Sequence, residues 1–143
     1  MSLTASWQFW ALVAAVFAAL TAIFAKVGIA EIDSDLATFI RTCVIIVVLG
    51  AILTVSGKWR HPSSIPFKTW LFLGLSGLAT GASWLAYFRA LKLGDAARVA
   101  PLDKLSIVLV AIFGVIFLGE HLSALNWLGV TLIGTGAILL AVF

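Results

Sequence analysis

The sequence predicts an all-α integral membrane protein of five transmembrane helices in one bundle. Three observations predict it. Five apolar stretches fill nearly all of the 143 residues. They read as Trp7–Val27, Leu36–Ser56, Phe67–Phe88, Ala97–Leu118 and Leu125–Phe143, each close to the roughly 20 residues that a helix needs to cross the hydrocarbon core. The composition agrees: hydrophobic residues make up 63%, charged residues 10%, and the mean hydropathy is +1.19. A soluble domain of this size exposes too much of its surface to hide so much apolar side chain. The segments between the stretches are short and carry turn and cap chemistry, which predicts helical hairpins with no stretch left over for a soluble module. The lipid bilayer is thus the first expected partner.

Each element has its own justification. The leader MSLTAS carries no Lys or Arg, the apolar run after it is too long for a signal peptide, and four more spans follow, so Trp7–Val27 reads as the first span. Its small face comprises Ala11, Ala14, Ala15, Ala18, Ala19, Ala22 and Ala25. Asp33-Ser34-Asp35 supplies N-cap oxygens to the second span, and Gly57 ends it. Cys43, the single cysteine, cannot form an intrachain disulfide and reads as a small core residue. The loop KWRHPSSIP follows, and Pro66 opens the third span. There Gly74, Gly77 and Gly81 let another backbone approach; Gly77 and Gly81 fit GxxxG, either as a contact within the bundle or as a dimer face. Gly94-Asp95 ends that helix and caps the next. Gly119 closes the fourth span and Ser123 can cap the fifth.

Trp7, Trp10, Trp59, Trp70 and Trp127 fall at one interface level and read as an aromatic belt. Trp84 lies deep in the third span, one turn before Tyr87, and either lines a cavity or packs. A short internal correspondence sets Ala37–Arg41 against Ala100–Lys104, each with a base four residues after an alanine. FAK at 24–26 and YFR at 87–89 close the first and third spans in similar fashion.

The formal net charge of +3 and pI of about 9.4 do not indicate nucleic acid here, because loop Lys and Arg set membrane orientation. His61 and His121 are lone loop histidines without paired ligand spacing, and no Cys/His or Ser/His/Asp grouping is present. No metal, cofactor or enzymatic activity is therefore expected.

The charges carry the functional signal, since an ionisable residue inside a span marks a functional site by default. Odd and even spans run in opposite directions. Lys26 and Arg89 end odd spans, while Arg41, Asp103 and Lys104 lie near the start of even ones, so all five are expected on one side of the membrane. Glu31, Asp33, Asp35, Lys92, Asp95 and Arg98 belong to that side too. Lys26 and Arg89 can snorkel to the interface. Arg41 lies about 7 Å past the start of its span and Asp103 about 9–11 Å, at 1.5 Å per residue. Adjacent helix residues do not face each other. Asp103 is therefore expected to take a partner from another helix, Arg41 or Lys26, leaving Lys104 to meet a ligand anion. Pro101 leaves the Ala97 carbonyl without its usual donor, and irregular helices at membrane depth are tolerated where they face protein or water. A static interhelical ion pair is the alternative to a site.

The last two spans, GDAARVAPLDKLSIVLVAIFGVIFLGEHLSALNWLGVTLIGTGAILL, resemble the end of an EamA-like domain of the drug/metabolite transporter superfamily. The shared pattern is Pro101 in a small-residue opening, an apolar run into Leu118-Gly119-Glu120, Leu122-Ser123, and a glycine-spaced last helix. Phe24–Gly28, Ala37–Arg41 and Tyr87–Gly94 extend the similarity over residues 1–143 as one domain. Most relatives carry two such domains in inverted orientation, so the resemblance implies the compact form that pairs with itself or with a similar chain. It also implies transport of small metabolites, amino acids or drugs. The first-helix glutamate of the small multidrug-resistance exporters has no counterpart, which argues against a cationic-drug exporter. Glu120 matches the LGE of the family and reads as a helix-end residue.

The reading is a secondary transporter in a prokaryotic inner membrane. Its cavity is lined by Lys26, Arg41, Asp103, Lys104, Trp84 and Tyr87 and takes a small anionic or zwitterionic substrate. Asp103 is the candidate for proton coupling. A non-transporting assembly subunit or scaffold, and a cationic-drug exporter, are the alternatives. The amino-terminal face has Lys58, Arg60 and Lys68, and the other has Lys26, Arg89, Lys92 and Arg98, with Arg41 and Lys104 set aside. That near-balance removes the bias that fixes orientation. It predicts dual topology and an antiparallel homodimer, ten helices in an inverted-repeat-like arrangement, against a parallel dimer or heteromer.

Overall fold

The computed structural model describes residues 6–143; the leader residues Met1–Ala5 lie outside it. Among the described residues the regular structure is helical: α1 (Trp7–Gly28), α2 (Ser34–Val55), a 3-10 turn at Pro62–Ser64, α3 (Phe67–Leu93), α4 (Ala96–Asp103), α5 (Ser106–Leu118) and α6 (Ala124–Val142). Five stretches are long and apolar enough to cross a membrane, with α4 and α5 together forming one of them over Ala96–Leu118. The expected bounds hold to within two residues except at the end of α3, which runs five residues past Phe88 to Leu93.

The helix ends follow local chemistry. The Ser6 hydroxyl accepts from the Phe9 N–H at the start of α1. Asp33 caps α2, accepting from the N–H groups of Asp35 (2.8 Å) and Leu36 (3.3 Å); these two donors hold its carboxyl below the ordinary aspartate range. Gly57 has φ +62°, and its N–H and that of Lys58 return to the carbonyls of Thr54 and Leu53. That left-handed stop satisfies two orphan carbonyls at no Cβ cost. Ser123 accepts from Asn126 N–H at 3.2 Å and caps α6. Asp95 differs from expectation. It stands at the N-cap position of α4, but its side chain makes no capping bond; its backbone carbonyl alone accepts from Arg98 and Val99.

The helices gather into two compact units, residues 6–24 with Leu93–Phe143, and Ala25–Lys92. In the first, α6 packs against α4 and α5. Gly134 makes this approach possible: a Cβ there would come within 3.1 Å of Val108 Cγ2, and Gly134 and Ala137 are the buried residues of α6. Small residues serve backbone contact here as they do generally between membrane helices. Arg98 Nη2 donates to the Phe143 carbonyl at 3.2 Å. At the end of α5, the Glu120 N–H returns to the Gly114 carbonyl at 3.1 Å. Its carboxylate lies over Gly114, where a Cβ would meet Oε2 at 2.6 Å. The glutamate of LGE thus closes the helix, as expected.

The second unit holds the last residues of α1, then α2 and α3. Its core is the trio Ile29, Phe88 and Leu91, each at most 2% exposed. Ala25, Ser34, Ala37 and Thr38 are buried beside them in the same unit. Residues 34, 37, 38, 41, 42 and 45 of α2 form its covered face, the spacing of one helical stripe. Cys43 is off that stripe and exposed, which corrects its reading as a core residue. The α1 alanines before Ala22 are exposed. A Cβ built at Gly74, Gly77 or Gly81 would meet nothing within 4 Å beyond its own stretch of helix.

Candidate substrate site

Four of the six expected site residues, Lys26, Arg41, Trp84 and Tyr87, fall in the second unit, at the end where α1 and α3 finish and α2 begins. The periodicities dictate this. On α3, residues 81, 84, 88 and 91 recur at three- and four-residue spacing and form one stripe. On α2, Arg41 continues the stripe of Ser34, Ala37 and Thr38. The two stripes meet. The Arg41 guanidinium carbon lies 4.0 Å from the Trp84 ring centroid and 5.5 Å from that of Phe88. Trp84 therefore packs, and what it packs against is the charge itself. Cation–π contact of this kind is worth about 0.5–2 kcal/mol, more as water is excluded. Phe88, not singled out from sequence, is the second ring; its place one turn after Trp84 was the available signal. Tyr87 is half-buried and meets Phe88 edge-on, with centroids 6.5 Å apart.

Arg41 lies seven residues into α2, about 10 Å along its axis, somewhat deeper than the sequence boundary implied because α2 begins at Ser34. It is half-buried, and within this unit no carboxylate lies at salt-bridge distance from it. The nearest acid on its own helix, Asp35, is engaged by Arg89 Nη2 at 3.3 Å. Both members of that pair are more than half exposed, so it contributes little to stability. Beside Arg41, the hydroxyls of Thr38 and Thr42 donate to the carbonyls of Ser34 and Thr38, both at 2.8 Å. Each keeps its lone pairs as acceptors.

Lys26 does not simply snorkel. Its ammonium donates to the Leu91 carbonyl at 2.6 Å. Leu91 lies in the last turn of α3, where carbonyls lack intrahelical donors, and a cation is favoured there by the helix dipole. Lys92 donates to the Ile32 carbonyl. The two lysines thus tie the α1–α2 connection to the end of α3 from both directions. Acceptors of this kind are main-chain carbonyls, which carry no sequence signature.

Asp103 and Lys104 belong to the first unit, at the break between α4 and α5. The break is a 3-10 passage. The N–H groups of Lys104, Leu105, Ile107 and Val108 each bond to the carbonyl three residues back, at 2.9–3.0 Å. Pro101 sits inside α4, where its ring and missing N–H disfavour regular α continuation, and tightened turns at such points are common. Here the expectation for Asp103 fails. Its partner is its own neighbour: Lys104 Nζ lies 3.0 Å from Asp103 Oδ2. The rule that adjacent residues do not face each other applies to a regular helix. At this break a four-carbon lysine stem curls round to the neighbouring carboxylate, so Lys104 does not stand free. The side chains are 34% and 51% exposed, so the pair is open to exchange. The correspondence between Ala37–Arg41 and Ala100–Lys104 is accordingly one of sequence only: α2 is continuous through Arg41, whereas the fourth span breaks at Lys104.

The model of the EamA-like transporter family matches residues 5–142. A protein of Sinorhizobium sp described as "Uncharacterized transporter in cobO 3'region" is 74% identical over 138 residues, covering 96% of this chain and 98% of the relative. No solved structure matches.

Proposed function

The chain belongs to the EamA-like transporter family, and from that premise we propose that it is a secondary transporter of a small polar, anionic or zwitterionic metabolite, working by alternating access. Five apolar helices and the family together make it an integral, multi-pass membrane protein. Residence in the inner membrane of a prokaryote is part of the proposal.

The observation that carries the substrate class is Arg41, a base inside a span, held by two aromatic rings and with no carboxylate of its own unit at salt-bridge distance. A charge at that depth is costly unless water, a partner or a ligand meets it. Trp84 and Tyr87 belong to the same element of the proposal, and Lys26 borders it. Asp103 and Lys104 form a second element. They sit where a span is broken, the place at which transporters of other folds put ion and substrate sites. Asp103 is the proposed proton-coupling group, with the exchangeable Lys104 bond as its counter-ion.

Near-equal Lys and Arg numbers on the two faces support pairing of two copies in opposite orientation. Cysteines placed at Ser63 and Gly94 in a Cys43→Ala background test it. Labelling of each from both sides of intact cells is expected, and strictly one-sided labelling refutes it.

The function itself is tested in proteoliposomes by counterflow of pooled radiolabelled amino acids and small carboxylates. Uptake is expected in the wild type and strong loss in Asp103→Asn and Lys104→Ala, with insertion unchanged. Normal uptake by both variants refutes the assignment of the helix break. No uptake of any pool by wild-type protein favours an assembly subunit instead.

A further inference from the structure

The geometry points to Arg41 as the receptor for a planar carboxylate group on the substrate, with Trp84 as its positioning residue and the open glycine face of α3 as the course of the substrate's apolar body. The inference rests on the transporter reading and names the substrate class of that site: small monocarboxylates with a slim hydrocarbon part.

The chemistry is that of a guanidinium held against a ring. The Trp84 centroid lies 4.0 Å from the Arg41 guanidinium carbon, a cation–π contact that holds the group without neutralising its charge. The N–H bonds lie in the guanidinium plane and form a rigid fork matched to two oxygens of a carboxylate. The rings hold the fork in orientation before a ligand arrives, so less freedom is lost on binding. Asp35, the nearest acid on the same helix, stands six positions before Arg41, outside the i,i+3 and i,i+4 neighbours that can pair on a helix, and it is engaged by Arg89 at 3.3 Å. The Thr38 and Thr42 hydroxyls spend their protons on the carbonyls of Ser34 and Thr38, which leaves the guanidinium as the donor to the carboxylate.

The direction of the ligand body follows from α3. The stripe that carries Leu91, Phe88 and Trp84 continues through Gly81, Gly77 and Gly74. At each of these three a Cβ would meet nothing within 4 Å beyond its own stretch of helix. Next to the aromatic pair, α3 therefore offers bare backbone and open space, without polar side chains on that line. An apolar chain or ring fits beside it; a second charged group at that end would have no counterpart on the stripe.

The test uses the full chain purified in an uncharged detergent, with butyrate and benzoate as probes and butyramide and benzamide as their neutral isosteres. Binding is read as a concentration-dependent rise in Tm. The carboxylates are expected to stabilise and the amides not. Arg41→Lys keeps the positive charge and loses the fork, and should weaken carboxylate binding tenfold or more. Trp84→Leu should weaken it about two- to fivefold, and Trp84→Phe, which keeps a ring under the guanidinium, should restore most of that. The unliganded Tm of each variant separates binding from folding. The inference is overturned if Arg41→Lys binds the carboxylates as tightly as wild type, if the amides stabilise equally, or if none of the four probes binds. Inorganic phosphate and vesicles with and without anionic lipid form a further arm; equal competition by phosphate or by anionic headgroups overturns selectivity for a carboxylate. The counterflow assay is scored separately. Arg41-dependent binding without flux would leave the carboxylate site standing and sink the transporter reading, whereas flux with Arg41-independent binding would do the reverse.

Discussion

Replacing Lys26 by Met should loosen the end of the second unit by about 2 kcal/mol. The ammonium donates at 2.6 Å to the carbonyl of Leu91, a residue with no exposed surface in the last turn of α3, which ends at Leu93. Bonds from a charged donor contribute about 1.5–3 kcal/mol net. A cation at a helix C-terminus adds about 0.3–1 kcal/mol, part of which is the same interaction. Methionine keeps the stem and its packing, so the change removes the donor and charge alone. A loss of about 2 kcal/mol shifts the folded-to-unfolded ratio by about 30-fold. Reversible unfolding in mixed micelles with increasing dodecyl sulfate reads this ratio. Lys26→Arg, which retains a donor and charge, should recover more than half of the loss. Lys92→Met, whose acceptor Ile32 lies in an exposed setting, should cost less than Lys26→Met. The reasoning is refuted if Lys26→Met unfolds like the wild type. If that variant also loses counterflow, Lys26 meets the substrate rather than the end of α3.

Two further outcomes follow from the same unit. Leu91→Ala should cost about 2–5 kcal/mol, the range for emptying a buried leucine site, while Leu93→Ala, at a residue 85% exposed, should stay within about 0.5 kcal/mol of wild type; equal losses at the two sites, read by the same unfolding assay, would show that the Ile29–Phe88–Leu91 core is not closed. Asp33 gives a pH dependence. Its carboxyl is held low by the Asp35 and Leu36 N–H groups, so its stabilising effect is complete above the ordinary aspartate range near 3.9 and is lost as pH falls through the lower folded value. Asp33→Asn keeps an acceptor for the cap but cannot titrate. Its unfolding midpoint should therefore fall less between about pH 5 and pH 2 than that of the wild type, and parallel curves would refute the cap as the source.

The sequence by itself determined the class, the number of spans and most of their ends. These are consequences of local chemistry. Twenty apolar residues in a row have one good solution in lipid, and Asp33, Gly57, Gly119 and Ser123 act on backbone within a few residues of themselves. It also determined that charges sit inside the spans. What it left undetermined was whom each charge meets. Lys26 finds the carbonyl of Leu91, 65 positions away, and a main-chain acceptor looks the same in every residue. Arg41 finds Trp84 and Phe88 because two helical stripes come face to face, and periodicity gives each stripe but not their meeting. Asp103 went to Lys104 because the backbone tightens after Pro101, and the rule that keeps neighbours apart holds only while the helix is regular. Cys43 is exposed for the converse reason: hydropathy is high all round α2, so the apolar pattern does not mark which side is covered. Only the fold, by choosing which face of that helix is covered, makes Arg41 a residue with a setting and Cys43 a residue on the outside.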